Sequence, residues 1–136
     1  MRVLVHSGKS GDCNRKARAR SILAIFPLET AMIFDLRTYT CHPGKAGEWL
    51  KLYEEKAYAI QAKYLGKPLF VSTSEVGTLN QVVHCWVYTS QADREQRRTA
   101  MEQDPGWHEY RRVSGERGYI ARQDNTILKS APFSPL

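Results

Sequence analysis

The sequence is poor in the residues that hold disulfide-stapled and metal-stabilised folds together. It has only three cysteines and four histidines in 136 residues. Cys13, Cys41 and Cys85 include no C-x-x-C pair. This spacing argues against a disulfide framework and favours a reducing compartment. The histidines are scattered, without cysteines or carboxylates at ligand spacing, so we expect no metal site and no bound cofactor.

Other absences exclude further classes of protein. No apolar run approaches the roughly 20 residues that cross a bilayer, so we expect no membrane span. The glycine-rich phosphate loops and the Gly-x-Ser-x-Gly context of serine hydrolases are also missing. The net charge of +6 arises mostly in residues 1–31, which hold six basic and two acidic side chains. The nearly balanced remainder argues against a nucleic-acid-binding domain.

Residues 1–31 differ in composition from the rest and are predicted to be an N-terminal extension outside the fold. Their arginine-rich, acid-poor character resembles a mitochondrial transit peptide. The competing interpretation is that translation starts at Met32, immediately before the first convincing strand. A cytoplasmic location is the primary expectation, with a mitochondrial one as the alternative. A single domain is predicted over residues 32–136.

The first half of this domain shows a strand, a helix and a second strand. Residues 33–41 alternate in polarity as a half-buried strand does. Residues 43–66 begin with a proline, carry an amphipathic stripe and end at a glycine, which predicts one helix of about 20 residues. A strand at about residues 69–75 then forms a hairpin with the strand at residues 82–88.

The second half continues with helix and strand. Ser90 is a candidate helix cap with Asp93 three residues on, and Asp104 followed by Pro105 is a second cap. Glycines after this helical stretch lead into a last strand at about residues 119–128. The order β-α-β-β-α-β predicts an α+β, ferredoxin-like fold, in which two helical segments cover one face of a four-stranded antiparallel sheet.

The strand at residues 82–88 is the central feature of the sequence. Because successive side chains point to opposite faces, Val83, Cys85 and Val87 form one small apolar face. The other face carries aromatic side chains with polar groups. We expect the plain face, together with Phe34, Leu36, Thr38 and Thr40 of the first strand, to lie under the helices. The aromatic face would then be bare, and pairing two such faces in a homodimer would cover it.

The candidate site lies on this aromatic face, because the first and third strands of a ferredoxin-like sheet are neighbours. Arg37 is the candidate anion contact, and His84 is the candidate hydrogen-bonding or proton-transferring group. These two are also the candidate catalytic residues. The arginines at positions 94, 97 and 98 are interpreted as a solvated helix face. The predicted ligand-binding set is Arg37, Tyr39, Glu75, Asn80, His84, Trp86 and Tyr88.

An ordered series of segments resembles the NIPSNAP family over about residues 32–135. The series comprises DLRTY at residues 35–39 with PGK at 43–45, SEVG at 74–77 with LN at 79–80, VHCWVY at 83–88, DR at 93–94, DPGW at 104–107, QDNTIL at 123–128 and FSP at 133–135.

The resemblance implies a dimeric α+β barrel of ferredoxin-like subunits and implies little chemistry. Two functional classes stay open. One is a non-catalytic, homodimeric binding or interaction module with an aromatic-lined cavity for a small apolar or anionic ligand. The other is a cofactor-free small-molecule enzyme, monooxygenase-like by analogy of fold alone.

Overall fold

Helices and strands follow one another in the predicted order within residues 32–136, the part of the chain that the computed structural model describes. The extension predicted at residues 1–31 lies outside these residues. The elements are β1 (Ile33–Cys41), α1 (Ala46–Lys56), α2 (Tyr58–Leu65), β2 (Phe70–Thr73), β3 (Gln81–Tyr88), α3 (Gln91–Met101), α4 (Pro105–Arg117) and β4 (Ile120–Lys129).

The first helical segment is divided, which corrects the prediction of one continuous helix. The division falls at Ala57, a fully buried residue whose φ of −116° departs from helical geometry. Beyond it, Gln61 turns inward and its side-chain oxygen accepts a hydrogen bond of 2.5 Å from the Tyr53 hydroxyl. A buried polar contact thus accompanies the interruption of the helix.

The caps predicted for the second helical segment are confirmed. The Ser90 hydroxyl accepts a hydrogen bond of 3.0 Å from the backbone N–H of Asp93. The Asp93 carboxylate in turn accepts a hydrogen bond of 3.0 Å from the backbone N–H of Thr89, the residue before Ser90. Asp104 caps α4 by accepting from the N–H of Gly106 at 2.8 Å. These bonds satisfy N–H groups that a helix start leaves without partners.

The strands form one antiparallel sheet in the order β2-β3-β1-β4. The predicted hairpin of β2 and β3 is confirmed, and β1 lies centrally between β3 and β4. This α+β, ferredoxin-like fold agrees with the prediction. None of the described helices is long and apolar enough to cross a membrane.

Each of the two predicted sets of side chains does share a face of the sheet. The prediction of which face lies under the helices is wrong. Val82, Trp86 and Tyr88 are at most 1% exposed and belong to the core, where they pack with Trp49 and other helix residues. The aromatic face is therefore the one under the helices. The helical stripe is itself aromatic, and large rings from both layers fill the space between helices and sheet.

The other face of the sheet carries the plain side chains, and none of the four helices within residues 32–136 lies over it. We call this the open face. It is formed by one alternating set of residues on the four strands, namely Phe34, Leu36, Thr38, Phe70, Ser72, Val83, Cys85, Val87, Thr126 and Leu128. Phe70 and Leu128 remain 42% and 44% exposed, so a substantial apolar surface faces outward.

Candidate ligand-binding cleft

The pairing of β1 with β3 brings the predicted site residues of these two strands together. Arg37 lies opposite His84 in the ladder, and Asp35 lies opposite Trp86. Directly opposed residues project from the same face of a sheet. These side chains therefore meet, as predicted, but in the layer between the sheet and the helices and not on a bare face.

His84 is fully buried within a cage of aromatic rings. The ring centroids of Tyr53 and Tyr39 lie 4.6 and 5.1 Å from that of the imidazole, and those of Trp49 and Trp86 lie 5.9 and 6.4 Å away. Neither ring nitrogen has a hydrogen-bond partner among the described residues. Burial, reinforced by the positive charge of Arg37, lowers the pKa of His84 to about 4. The imidazole is consequently neutral at physiological pH.

Arg37 is engaged with neighbouring side chains at the edge of this cage. Its Nε donates a hydrogen bond of 3.0 Å to the Tyr39 hydroxyl, and its Nη1 lies 3.9 Å from Asp35 Oδ2. Asp35, fully buried, has a closer partner in Arg94, whose Nε donates to Oδ2 at 2.7 Å. The amide of Asn125 also donates to Asp35. The buried carboxylate thus ties α3 to the two neighbouring strands β1 and β4.

A cleft of about 670 Å³ lies beside this network and is lined by residues of the sheet and of all four helices. Organic ligands occupy cavities of this size, typically about 300–1,000 Å³. One group of lining residues is aromatic, and it consists of Tyr39, Tyr53, Trp107 and Tyr110. The charged lining residues are Arg37, Arg98, Arg111, Arg122 and Glu102. The cleft therefore combines an apolar wall with an excess of positive charge.

The structure places some of the predicted site residues in the lining of the cleft and others in the core. Arg37 and Tyr39 line the cleft, whereas His84 and Trp86 are fully buried and are not among its lining residues. Tyr88 is also buried and is not among the lining residues. Contact of any of these residues with a ligand stays a prediction.

Two other members of the predicted ligand-binding set, Glu75 and Asn80, lie away from the lining of the cleft. Glu75 is exposed in the loop between β2 and β3 and is not among the lining residues of the cleft. Asn80 has a positive φ of 60°, and its side-chain oxygen accepts a hydrogen bond of 3.1 Å from the N–H of Gly44. Its backbone oxygen accepts from Cys41 at 2.8 Å. Asn80 therefore stabilises the junction of two loops.

Sequence reasoning missed the helix residues that complete the cleft. Arg94 and Arg98 were interpreted as part of a solvated face, but Arg94 binds the buried Asp35 and Arg98 lines the cleft. Their spacing of four residues places both on one side of α3, which was the available signal. Trp107 and Tyr110, three residues apart on α4, are a similar pair with ring centroids 5.2 Å apart.

Comparison with known proteins identifies the family. The NIPSNAP family model matches residues 34–135. The chain belongs to the NIPSNAP family. A NipSnap homolog from Dictyostelium discoideum is 36% identical over 77 residues, which make up 57% of this chain and 34% of that protein. The match to NipSnap of Drosophila melanogaster likewise covers 36% of the length of that protein. This chain thus spans about a third of the length of these two curated relatives.

Solved structures of other proteins are also similar to this chain. A NIPSNAP family protein of unknown function from Agrobacterium tumefaciens is 34% identical, with a TM-score of 0.72 over 79% of this chain and 96% of that one. A protein named for antibiotic biosynthesis monooxygenases, from Nitrosomonas europaea, has a TM-score of 0.55 at 10% identity over 80% and 99% of the two chains. The second likeness concerns the fold alone.

The described residues contain no cluster of three or more histidine, cysteine, aspartate or glutamate side chains that could hold a metal ion. The charged and aromatic groups in the cleft are those of arginine, tyrosine and tryptophan, with Glu102 as the one carboxylate. Arginine, tyrosine and tryptophan side chains bind anions, donate hydrogen bonds and stack against rings.

Proposed function

We propose that this NIPSNAP domain is a homodimeric binding module that holds a small organic ligand in the cleft of each subunit. The observation that carries the proposal is the cleft itself, where four aromatic side chains and four arginines line a space of about 670 Å³. A concave site with an apolar wall and a few polar groups is the usual form of a ligand pocket.

Free, buried thiols at Cys41 and Cys85 support the further proposal of a cytoplasmic location.

The open face supports the proposed dimer. The described helices cover only the aromatic side of the sheet, so Phe34, Leu36 and Val87 have no second layer over them in the part of the subunit that the structure describes. A symmetric pairing of two open faces would bury this apolar surface, and a stable interface needs about 800 Å² from each partner. The dimer proposed here uses this face and not the face bearing Arg37, His84 and Trp86.

A pair of valine-to-arginine variants tests the dimer. Val83→Arg introduces a charge at the middle of the open face and should convert the protein to monomers at micromolar concentration. Val76→Arg is the matched control, because Val76 is 90% exposed in the loop between β2 and β3. Sedimentation velocity measures both. A wild-type monomer, or a dimer that persists in Val83→Arg, would contradict the proposed interface.

The binding function is tested by native mass spectrometry of protein purified without denaturation. We expect a small molecule bound at one copy per subunit, released when Trp107 is replaced by alanine. The competing hypothesis of a cofactor-free enzyme has less support, because it requires a proton-transfer group in contact with the substrate. His84, the candidate for that role, is fully buried and does not line the cleft.

A further inference from the structure

Carboxylates of the described residues do not balance the positive charges that line the cleft. Two of its four arginines have a carboxylate nearby, since Arg37 is 3.9 Å from Asp35 and Arg122 is 2.8 Å from Asp124. Arg98 and Arg111 have no carboxylate within 4.0 Å in the described part of the chain. An arginine side chain stays charged at any physiological pH, so the imbalance is permanent.

Of the two arginines without a carboxylate partner, Arg98 has the greater need of one. Its Nη1 is buried and makes no well-formed hydrogen bond to an acceptor among residues 32–136. The buried Tyr88 hydroxyl lies near the guanidinium; burial raises the pKa of Tyr88, and the proximity of Arg98 counteracts only part of that rise. The guanidinium of Arg98 also borders the cleft, and a neutral hydroxyl does not balance its charge. A ligand with an anionic group would supply the charged partner that Arg98 lacks among the described residues.

The remaining walls define the rest of such a ligand. Tyr53 and Tyr110 are buried, and Trp107 is 8% exposed, so these rings form a largely dry surface. The hydroxyl of Tyr53 is already occupied by Gln61 at 2.5 Å. A small inorganic anion would satisfy Arg98 but leave the aromatic wall uncovered. The ligand that matches both features has an apolar or aromatic body and one anionic group.

We propose that the cleft binds amphiphilic organic anions and that Arg98 holds the anionic group. The guanidinium fork suits carboxylate, sulfonate and phosphate oxygens alike, because it can donate two parallel hydrogen bonds. The proposal rests on the binding function proposed above and specifies its ligand class. Glu102, the one carboxylate in the lining, is exposed at the end of α3 and leaves the net charge of the cleft positive.

Two fluorescent probes with the same rings test this inference. 8-Anilinonaphthalene-1-sulfonate carries a sulfonate, and N-phenyl-1-naphthylamine lacks it. Titration of the wild-type protein should give a dissociation constant at least about tenfold lower for the sulfonate, the equivalent of one charge-assisted hydrogen bond. Arg98→Gln should reduce the preference to less than about threefold, mainly through weaker sulfonate binding. Arg112→Gln should retain it, because Arg112 is exposed and paired with Glu109 and Glu116.

The outcomes separate the ligand class from the binding function. Equal affinity of the two probes in the wild type overturns the anionic class and leaves the cleft as a binding site. No binding of either probe contradicts the proposed function itself. An undiminished preference in Arg98→Gln overturns the role of Arg98. Binding that survives Trp107→Ala unchanged would locate the probes outside the cleft and also overturn the proposal.

A measurement on the wild type covers the case in which Arg98→Gln does not fold. Naphthalene-1-sulfonate should displace the bound sulfonate probe, and neutral 1-naphthol should need a concentration at least about tenfold higher to do so. Equal potency of the two competitors would overturn the anionic class without any variant.

Discussion

Replacing His84 by glutamine should remove much of the acid sensitivity of this fold. The imidazole is fully buried and its pKa is lowered to about 4, mainly by burial. In the unfolded chain it would return to about 6.5. As the pH falls between these two values, the unfolded state takes up a proton that the folded state excludes. Folded stability is therefore complete above about pH 6.5 and falls as the pH is lowered toward 4.

The size of the effect follows from the two pKa values. Between pH 7.5 and pH 4.5, proton uptake by the unfolded imidazole should lower the free energy of unfolding by about 2–3 kcal/mol. Glutamine is uncharged at every pH and similar in size, so this contribution disappears in His84→Gln. Any constant cost of the substitution cancels, because each protein is compared with itself at the two pH values.

Urea denaturation followed by circular dichroism measures this difference. Wild type, His84→Gln and the control His42→Gln are compared at pH 7.5 and 4.5. One protein concentration is used throughout, because the stability of the proposed dimer would depend on concentration. His42 is exposed, so its variant should lose as much stability on acidification as the wild type. A loss in His84→Gln equal to that of the wild type would refute the assignment of acid sensitivity to this buried imidazole.

Two further pairs of substitutions test how the helices are stabilised. Arg94→Gln leaves the buried Asp35 without its partner at 2.7 Å and should lower the free energy of unfolding by about 3 kcal/mol, whereas Arg97→Gln on the half-exposed side of α3 should cost less than about 1 kcal/mol. Equal losses in urea denaturation would contradict the structural role of the buried pair. Gly118→Ala should cost about 1 kcal/mol, because Gly118 ends α4 with a φ of 61°. Gly115→Ala, within α4 and with no atom near its added methyl, should instead stabilise by about 0.5–1 kcal/mol, so the same sign for both would refute the argument.

The element order and the pairing of residues on the central strands could be predicted because both follow from local periodicity. Alternation along residues 33–41 and 82–88 identified which side chains share a face, and the register confirms that Arg37 and His84 are neighbours. Alternation does not state which face the helices cover. An aliphatic face suits a helix layer as well as it suits a second sheet, so composition left that choice open and the prediction took the wrong side.

The arginines show a second limit of reasoning from one sequence. Arg94 and Arg98 lie on a strongly polar helix, where charges are normally solvated. The role of Arg94 depends on Asp35, which is 59 positions away in the chain. The role of Arg98 depends on the lining residues that other elements contribute to the cleft. Long-range partners of this kind leave no periodic signature. The cleft therefore emerged only when the helices and the sheet were assembled.

The strand order also sets the sequence in which the fold can be completed. β2 and β3 are joined by a short loop, and β1 can pair with β3 before β4 exists, but the second edge of β1 must wait for β4. Asp35 and Asn125, which meet across that last pairing, are 90 positions apart. Closing so long a loop is slow and costly in chain entropy. Until β4 emerges from the ribosome, the edge of β1 that pairs with it stays open and the buried carboxylate lacks the donor that Asn125 supplies.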